Sequence, residues 1–434
     1  MAESVRIGGG SAYLNDRLDA AIALAKGGRL DAMVMDMLAE RTLAIMQAAK
    51  RAGGVGYAPT LPERAAALVP VLAGAPLVTN GGSADPPAAA RAVAERLPGV
   101  PVAAVTGDDV AAVLREIDPV LLETGERLSR LPEPPVSANA YLGADGLVAA
   151  LGEGARVVVA GRVTDSALAL AVARHHLGWA AADWGRIAAG LLAGHILECS
   201  GHATGGYFAG PGPKAVPGLD DLGFPIAEIT ADGDITITRP PGTGGRIDRH
   251  TITEQILYEM HDPAAYVTPD GVLDVTAVTL AEAPEAVTIR GARGHPRPDT
   301  LKTLVAVDGG VIAEAEISYC GIDARERAVL AGEVAGRRLD RLGFANLPRR
   351  IDVIGLNALW PLDGPAPMEA RLRVAGRLPD RAAGERFVTE VETLYTNGPA
   401  GGGGVRLHIR PCLRTLTAFI PRDAARPAVT MVRL

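Results

Sequence analysis

Between Arg156 and Gly206 the chain reads RVVVAGRVTDSALALAVARHHLGWAAADWGRIAAGLLAGHILECSGHATGG, and no other stretch restricts the fold as much. Three consecutive β-branched residues, Val157, Val158 and Val159, suit a strand buried on both faces, as in a parallel sheet covered by helices. The strand breaks at Gly161 into a polar patch of Arg162, Thr164, Asp165 and Ser166. Small apolar residues from Ala167 to Val172 follow at helical spacing, with Asp165 or Ser166 placed to cap the new helix. A second helix is expected from Asp183 to Cys199, ending in a glycine-broken loop from Gly201 to Gly206. The strand delivers an arginine and an aspartate to its C-terminal tip, and the later helix brings His195, Glu198 and Cys199 to a flexible loop.

The same alternation of short apolar strands and amphipathic helices runs from residue 4 to about 210, which is the pattern of a parallel α/β sheet. Strands are expected at Val5–Ile7, Ala32–Met35, Pro76–Thr79, Pro101–Val105 and from Val157. Their tips carry Asp36, Asn80, Asp108 or Asp109, and Arg162 with Asp165. Ligands of open α/β sheets sit outside the carboxyl ends of the strands. Asp85, Asp108 and Asp109 serve equally well as N-caps of the helices that follow. Beyond about residue 225 alternating strands dominate, with turn signals at Asp232-Gly233 and Asp308-Gly309. The expected fold is α/β: an N-terminal mostly parallel sheet with flanking helices (residues 1–210), followed by an α+β C-terminal half (residues 211–434).

Composition narrows the function. The 434 residues are 48% hydrophobic and 21% charged, enough for a sizeable core. A net charge of −7 and no Lys/Arg block argue against nucleic acid or an anionic membrane as partner. Three scattered cysteines, Cys199, Cys320 and Cys412, offer neither a disulfide framework nor a Cys-rich zinc site, and fit a reducing cytoplasm. With no signal peptide and no run of 18 apolar residues, the expectation is a soluble, unprocessed cytoplasmic protein.

Three glycine-rich segments stand out. Gly8-Gly9-Gly10 lacks dinucleotide-motif spacing and reads instead as a place where backbone approaches an anionic group. Pro241-Gly242-Thr243-Gly244-Gly245 and Asn397-Gly398-Pro399-Ala400-Gly401-Gly402-Gly403-Gly404 offer backbone N–H groups to phosphate, carboxylate or thioester oxygens, or else connect hairpins. His195, Glu198 and His202 lie within a turn or two of one another. The first two form either an acid–base pair or a buried structural hydrogen bond, and a metal reading lacks an evident third ligand at the right spacing.

The segments VRIGGGSAYLNDR, LDAMVMDMLAERTLAIM, VTNGGSADP, SANAYLGA, GRVTDSALAL, AAGLLAGHILECSGHATGGYF, PGTGGRI and LYTNGPAGGGGVR, in this order over nearly the whole chain, closely resemble the acyclic terpene utilisation AtuA family. The resemblance implies catabolism of acyclic terpenes or related branched acyl compounds, often as CoA thioesters. Many members carry, or are encoded beside, a small ferredoxin-fold partner, which for this chain is expected to be a separate polypeptide or absent. His202 and the GGGSAYLN segment near Tyr13 depart from the family's pattern, so neither a family-wide metal site nor an identical substrate is implied.

The chemistry on offer is carboxylates, a histidine, an arginine and glycine-rich loops, which points to a lyase or hydratase acting on a carboxylate or acyl-CoA. Arg162 is expected to anchor the substrate carboxylate with Asp165 orienting it, and Glu198 and His195 to be the acid–base pair. Thr204, Gly205, Gly206, Thr243, Gly244, Gly245, Asn397, Gly401, Gly402 and Gly403 are expected to hold a substrate oxygen. Asp36, Glu40, Asn80 and Asn139 complete the wall. No cofactor is firmly implied beyond the CoA thioester as substrate. The alternatives are a non-catalytic acyl-CoA-binding subunit and a divalent-metal enzyme using Asp36, Glu40 or the His195 cluster. A homo-oligomer is the base-rate expectation.

Overall fold

The buried apolar runs form the parallel strands they announce. The computed structural model describes residues 3–132, 135–359 and 368–433. Its first strands are β1 (Ser4–Gly9), β2 (Ala32–Met35), β3 (Leu77–Thr79), β4 (Val102–Thr106), β5 (Pro135–Ala140) and β6 (Val157–Ala160). Then come β7 (Ile226–Thr230), β8 (Ile235–Thr238), β9 (Tyr266–Val267), β10 (Val272–Asp274), β11 (Thr279–Ala283), β12 (Ala286–Arg290) and β13 (Arg293–His295). The last are β14 (Thr300–Cys320), β15 (Arg349–Ile354), β16 (Glu369–Leu378), β17 (Gly403–Pro421) and β18 (Ala428–Val432).

Strands β1, β2, β3, β6 and β4 lie side by side in that order, all parallel. Antiparallel strands extend this centre on both edges, giving the ten-stranded order β11-β12-β8-β7-β1-β2-β3-β6-β4-β18. The sheet therefore runs across residue 210, because strands from the later, β-rich part pair onto β1. One face is covered by the helices Leu18–Gly27, Leu61–Leu68 and Pro86–Arg96, around a core that includes Leu24, Met33, Leu77 and Val157. Against the other lie the helices Ala167–Leu177 and Trp184–Glu198, both touching β1 and β2.

The chain divides into two compact units, Met1–Ala306 with Thr415–Leu434, and Val307–Arg414. The second is a β-α-β-β-α-β plait: the later part of β14, the helix Ala324–Leu339, β15, β16, the helix Arg381–Glu392 and β17. Its sheet order β15-β16-β14-β17 is that of the ferredoxin-like fold, and its core is built from Ile317, Ala328, Leu372 and Phe387.

Two local expectations are corrected. The Asp308-Gly309 signal does not make a hairpin, since β14 runs unbroken through it. The left-handed residue is Gly310 (φ +79°), whose N–H is held by Asp308 Oδ1 at 2.8 Å, so the signal bends one strand instead of joining two. Nor does a side chain bond the first turn of the helix Ala167–Leu177: Ser166 stands at its N-cap without a side-chain hydrogen bond, and the Asp165 carboxylate turns back to Arg162. Among the described residues no helix is long and apolar enough to cross a membrane.

Candidate functional site

Three neighbouring strand tips build the floor of the site. Asp36 follows β2, Asn80 follows β3, and Arg162 with Asp165 follows β6, as the strand-tip rule anticipates. Asn80 ties them together. Its Oδ1 accepts the Met37 N–H at 2.7 Å, and its Nδ2 donates to Asp36 Oδ1 at 2.7 Å and to Asp165 Oδ1 at 3.3 Å. Burial pushes the Asp36 carboxyl well up and the nearby Asp165 charge adds to it, while Asp165 is itself raised by burial despite its arginine. The two buried carboxyls share the Asn80 amide and only Asp165 is bonded to Arg162, which favours keeping a proton in the pair.

Arg162 is 1% exposed. Its Nε donates to Val163 O and its Nη1 to Leu38 O, each at 2.8 Å, and its Nη2 is given to Val163 O and Asp165. The Tyr141 ring lies 4.5 Å from the guanidinium. The arginine read as a substrate anchor is thus committed to backbone carbonyls and one aspartate, and acts as a positioning residue.

The helix Trp184–Glu198 arrives opposite this floor, capped by Asp183, which accepts the Arg186 N–H. Two glycines allow the close approach. A Cβ on Gly194 would stand 2.3 Å from Ser166 O, and one on Gly9 would stand 2.7 Å from Leu197 O. The helix is pressed onto the β1 and β6 tips, and the amides of Gly9 and Gly10 are spent on Pro225 O and Val34 O. The triple glycine serves packing, not an anion.

Glu198 and His195 stand at the end of this helix. His195 Nε2 faces Ile256 O at 3.1 Å, which places a proton on that nitrogen, and Nδ1 faces Glu198 Oε1 at 3.0 Å. One further proton is shared across the second contact. Glu198 raises the imidazole's affinity for that proton, and burial raises that of Glu198. Glu198 Oε2 is buried and makes no hydrogen bond among the described residues. The Tyr266 ring lies 5.3 Å from the His195 ring, and burial with the charges of Glu198 and Asp165 keeps its phenol protonated far above the usual range. Cys199 is likewise pushed up by burial and Glu198, which makes it a poor nucleophile.

Asp165 and Tyr266 line a cavity of about 450 Å³, together with Thr164, Glu40, Tyr141 and Lys302. Glu40 accepts the Tyr141 hydroxyl at 2.5 Å and stands 3.6 Å from Lys302 Nζ. Thr164 Oγ1 is buried without a partner among the described residues. Tyr141, Tyr266 and Lys302 escaped the sequence reading. Tyr141 stood in view beside Asn139, whereas Tyr266 and Lys302 come from segments more than a hundred residues beyond the strand tips.

The remaining residues read as binding groups are placed elsewhere. Asn139 is buried, bridging Asp108 at 2.8 Å and Gln47 at 3.4 Å. The amides of Thr204, Gly205 and Gly206 donate to Gly201 O, His202 O and Gly201 O, closing their own turn. Gly244 and Gly245 donate to Asp221 O and Pro217 O, and the Thr243 hydroxyl donates to Pro240 O at 2.7 Å. Asn397, Gly401, Gly402 and Gly403 belong to the second compact unit. There Asn397 donates to Thr393 O at 3.1 Å, and Arg327 holds Ala400 O at 2.8 Å. The 204–206 and 243–245 loops spend these donors on backbone, as connectors do. His202 stacks on Tyr207 with ring centres 4.8 Å apart. Among the described residues no three His, Cys, Asp or Glu side chains are arranged to hold a metal ion.

Against this geometry, the model of the acyclic terpene utilisation family protein AtuA matches residues 5–431. No curated protein and no solved structure matches the chain.

Proposed function

The chain belongs to the acyclic terpene utilisation AtuA family, and from that premise we propose that it is an enzyme: a lyase or hydratase moving protons on a branched carboxylate or acyl-CoA of acyclic terpene breakdown. The observation that supports this best is the Glu198 carboxyl, held at Oε1 by His195 and left with a buried, unpartnered Oε2. A buried oxygen without a partner is costly, and such groups are kept where a reaction uses them.

In this reading Glu198 Oε2, buried close to Tyr266 and Asp165 and not itself on the cavity lining, takes the proton on the carbon next to the substrate carbonyl, and His195 keeps the carboxyl oriented. The negative charge that develops on the carbonyl oxygen accepts a hydrogen bond from the Tyr266 phenol. The Asp165–Asp36 pair gives its proton to a departing hydroxyl, which leaves as water; addition of water to a double bond is the same path reversed. Lys302 at the cavity wall supplies a counter-charge for a carboxylate. Arg162 and Asn80 hold the floor and touch no substrate.

The test is deuterium exchange at the carbon next to the carbonyl, followed by mass spectrometry with branched acyl-CoAs and their free acids in D2O. Exchange that falls by about 10²–10⁴ in Glu198→Gln, a typical general-base contribution, supports the assignment. Exchange at the wild-type rate in the variant removes it. Ligand binding with no exchange in the wild-type protein makes the chain a binding subunit instead.

A further inference from the structure

A second and larger cleft lies in the same compact unit. It encloses about 1060 Å³, more than twice the acid cavity, and is lined by Phe208, Lys214, Arg246, Arg249, His250 and Tyr258 among others. The basic groups reach it from two loops and from the first turn of the helix Arg249–Leu257. Lys214 Nζ stands 4.5 Å and the Arg246 guanidinium 5.4 Å from the Phe208 ring centre, so one ring fixes two cations.

Arg246 is held by Asp248 at 2.5 Å and by Pro213 O at 2.6 Å, whereas Lys214 and Arg249 have only weak partners. Lys214 pairs with Glu254 at 2.7 Å, with side chains 52% and 41% exposed, and Arg249 pairs with Glu282 at 3.3 Å, at 62% and 44%. Exposed pairs of this kind contribute little, and a phosphate, with more charge and three acceptor oxygens, displaces a single carboxylate from them. The Arg249 contact uses Nε and leaves its two terminal nitrogens for a fork. Phe208 is buried beneath the cations, and the half-buried Tyr258 adds aromatic surface on which a base can rest.

The cleft and the acid cavity have one lining residue in common, Glu259. Its backbone is left-handed (φ +56°), unusual for a residue with a side chain. Two volumes that share a lining residue suit a ligand in two parts. We propose that the cleft binds the phosphate-bearing nucleotide end of a substrate whose reacting end lies in the acid cavity. The acid–base reading above is needed only for what happens in the smaller cavity.

Binding of ADP, adenosine and inorganic phosphate to the full chain, measured by calorimetry at fixed salt, tests this. ADP is expected to saturate one site, with adenosine silent and phosphate at least roughly tenfold weaker, because two phosphates and a stacked base act together. In the double variant Lys214→Ala/Arg249→Ala ADP should weaken by about tenfold or more, two charge-assisted contacts being lost. Glu254→Gln, which frees Lys214, should bind ADP more tightly than wild type. ADP bound equally by wild type and the double variant overturns the proposal, as does phosphate binding as tightly as ADP. If the double variant melts early, the sign of the Glu254→Gln change decides. Glu198→Gln is expected to bind ADP like wild type, so lost exchange with intact ADP binding, or the reverse, tells the two readings apart.

Discussion

Arg162 and Tyr266 show how differently two side chains at one cavity are employed. Each donor nitrogen of Arg162 is engaged and its surface is buried, so it holds the β6 tip and Asp165 in place. Lysine has neither the fork nor the reach to replace it. Arg162→Lys is expected to lower unfolding free energy by about 1–3 kcal/mol, the cost of leaving the buried Leu38 and Val163 carbonyls without their donors, read from urea midpoints. Tyr266 is the opposite case: its ring packs beside His195 and lines the cavity. Tyr266→Phe should leave the urea midpoint nearly unmoved while exchange at the substrate carbon drops by about 10²–10³, the worth of one oxyanion donor. An equal loss of stability and activity would mean that the phenol is structural. At this scale much of the site was legible. Asp36, Asn80, Arg162 and Asp165 meet because they follow adjacent parallel strands, and His195 and Glu198 meet because they are three apart on a helix. The burial that turns Arg162 from anchor to support is a tertiary property, and no local pattern announces it.

Elements place these residues by backbone-to-backbone approach, and the two helices behind the site meet at Gly194. A methyl group there would stand 2.3 Å from Ser166 O, so the helix carrying Glu198 would have to move off the β6 tip. Gly194→Ala is expected to cost about 1–3 kcal/mol of stability, as overpacking does, and to lower exchange as well. Activity kept at the wild-type level in a destabilised variant would show that the Glu198 position is not set by this contact. The helix Asp145–Gly152 depends on a different device. Both Asp270 oxygens accept the Ala144 N–H, at 2.9 and 3.1 Å, and burial pushes that carboxyl up to about 6. With the folded-state value above the unfolded one, the folded chain binds the proton more tightly. Stability from this group is therefore full below about pH 4 and lost as pH rises through 6, by up to about 3 kcal/mol. Asp270→Asn keeps an acceptor for the amide and removes the titration. The wild-type-minus-variant unfolding free energy should fall between pH 4.5 and 7, and a flat difference would refute the coupling. Element types could be read because apolar runs and helical spacing are local. The Asp308-Gly309 signal could not, because a left-handed residue serves a bend as readily as a hairpin.

At the scale of the whole molecule the two compact units carry unequal shares of the chemistry. The acid cavity and the basic cleft are lined entirely from Met1–Ala306 and Thr415–Leu434. Sequence rhythm could not reveal this division: it changes near residue 225, where strands begin to add to the edge of the first sheet, while the ferredoxin-like plait begins some eighty residues later. Composition does not differ between an edge strand that completes one sheet and a strand that founds another, since both alternate with period two. The plait's chain enters and leaves side by side, for a Cβ on Gly309 would stand 3.0 Å from Cys412 O. A short Gly/Ser linker can therefore span the gap left by removing residues 308–413. The shortened protein is expected to keep one cooperative urea transition, with its denaturant slope reduced by about a quarter in proportion to the residues removed. It should also bind ADP as the full chain does, since no residue of the cleft is lost. A broad, non-cooperative melt would show that the sheet of the first unit needs the plait to fold. A sharp melt with ADP binding lost would contradict the placement of the nucleotide site in the first unit alone.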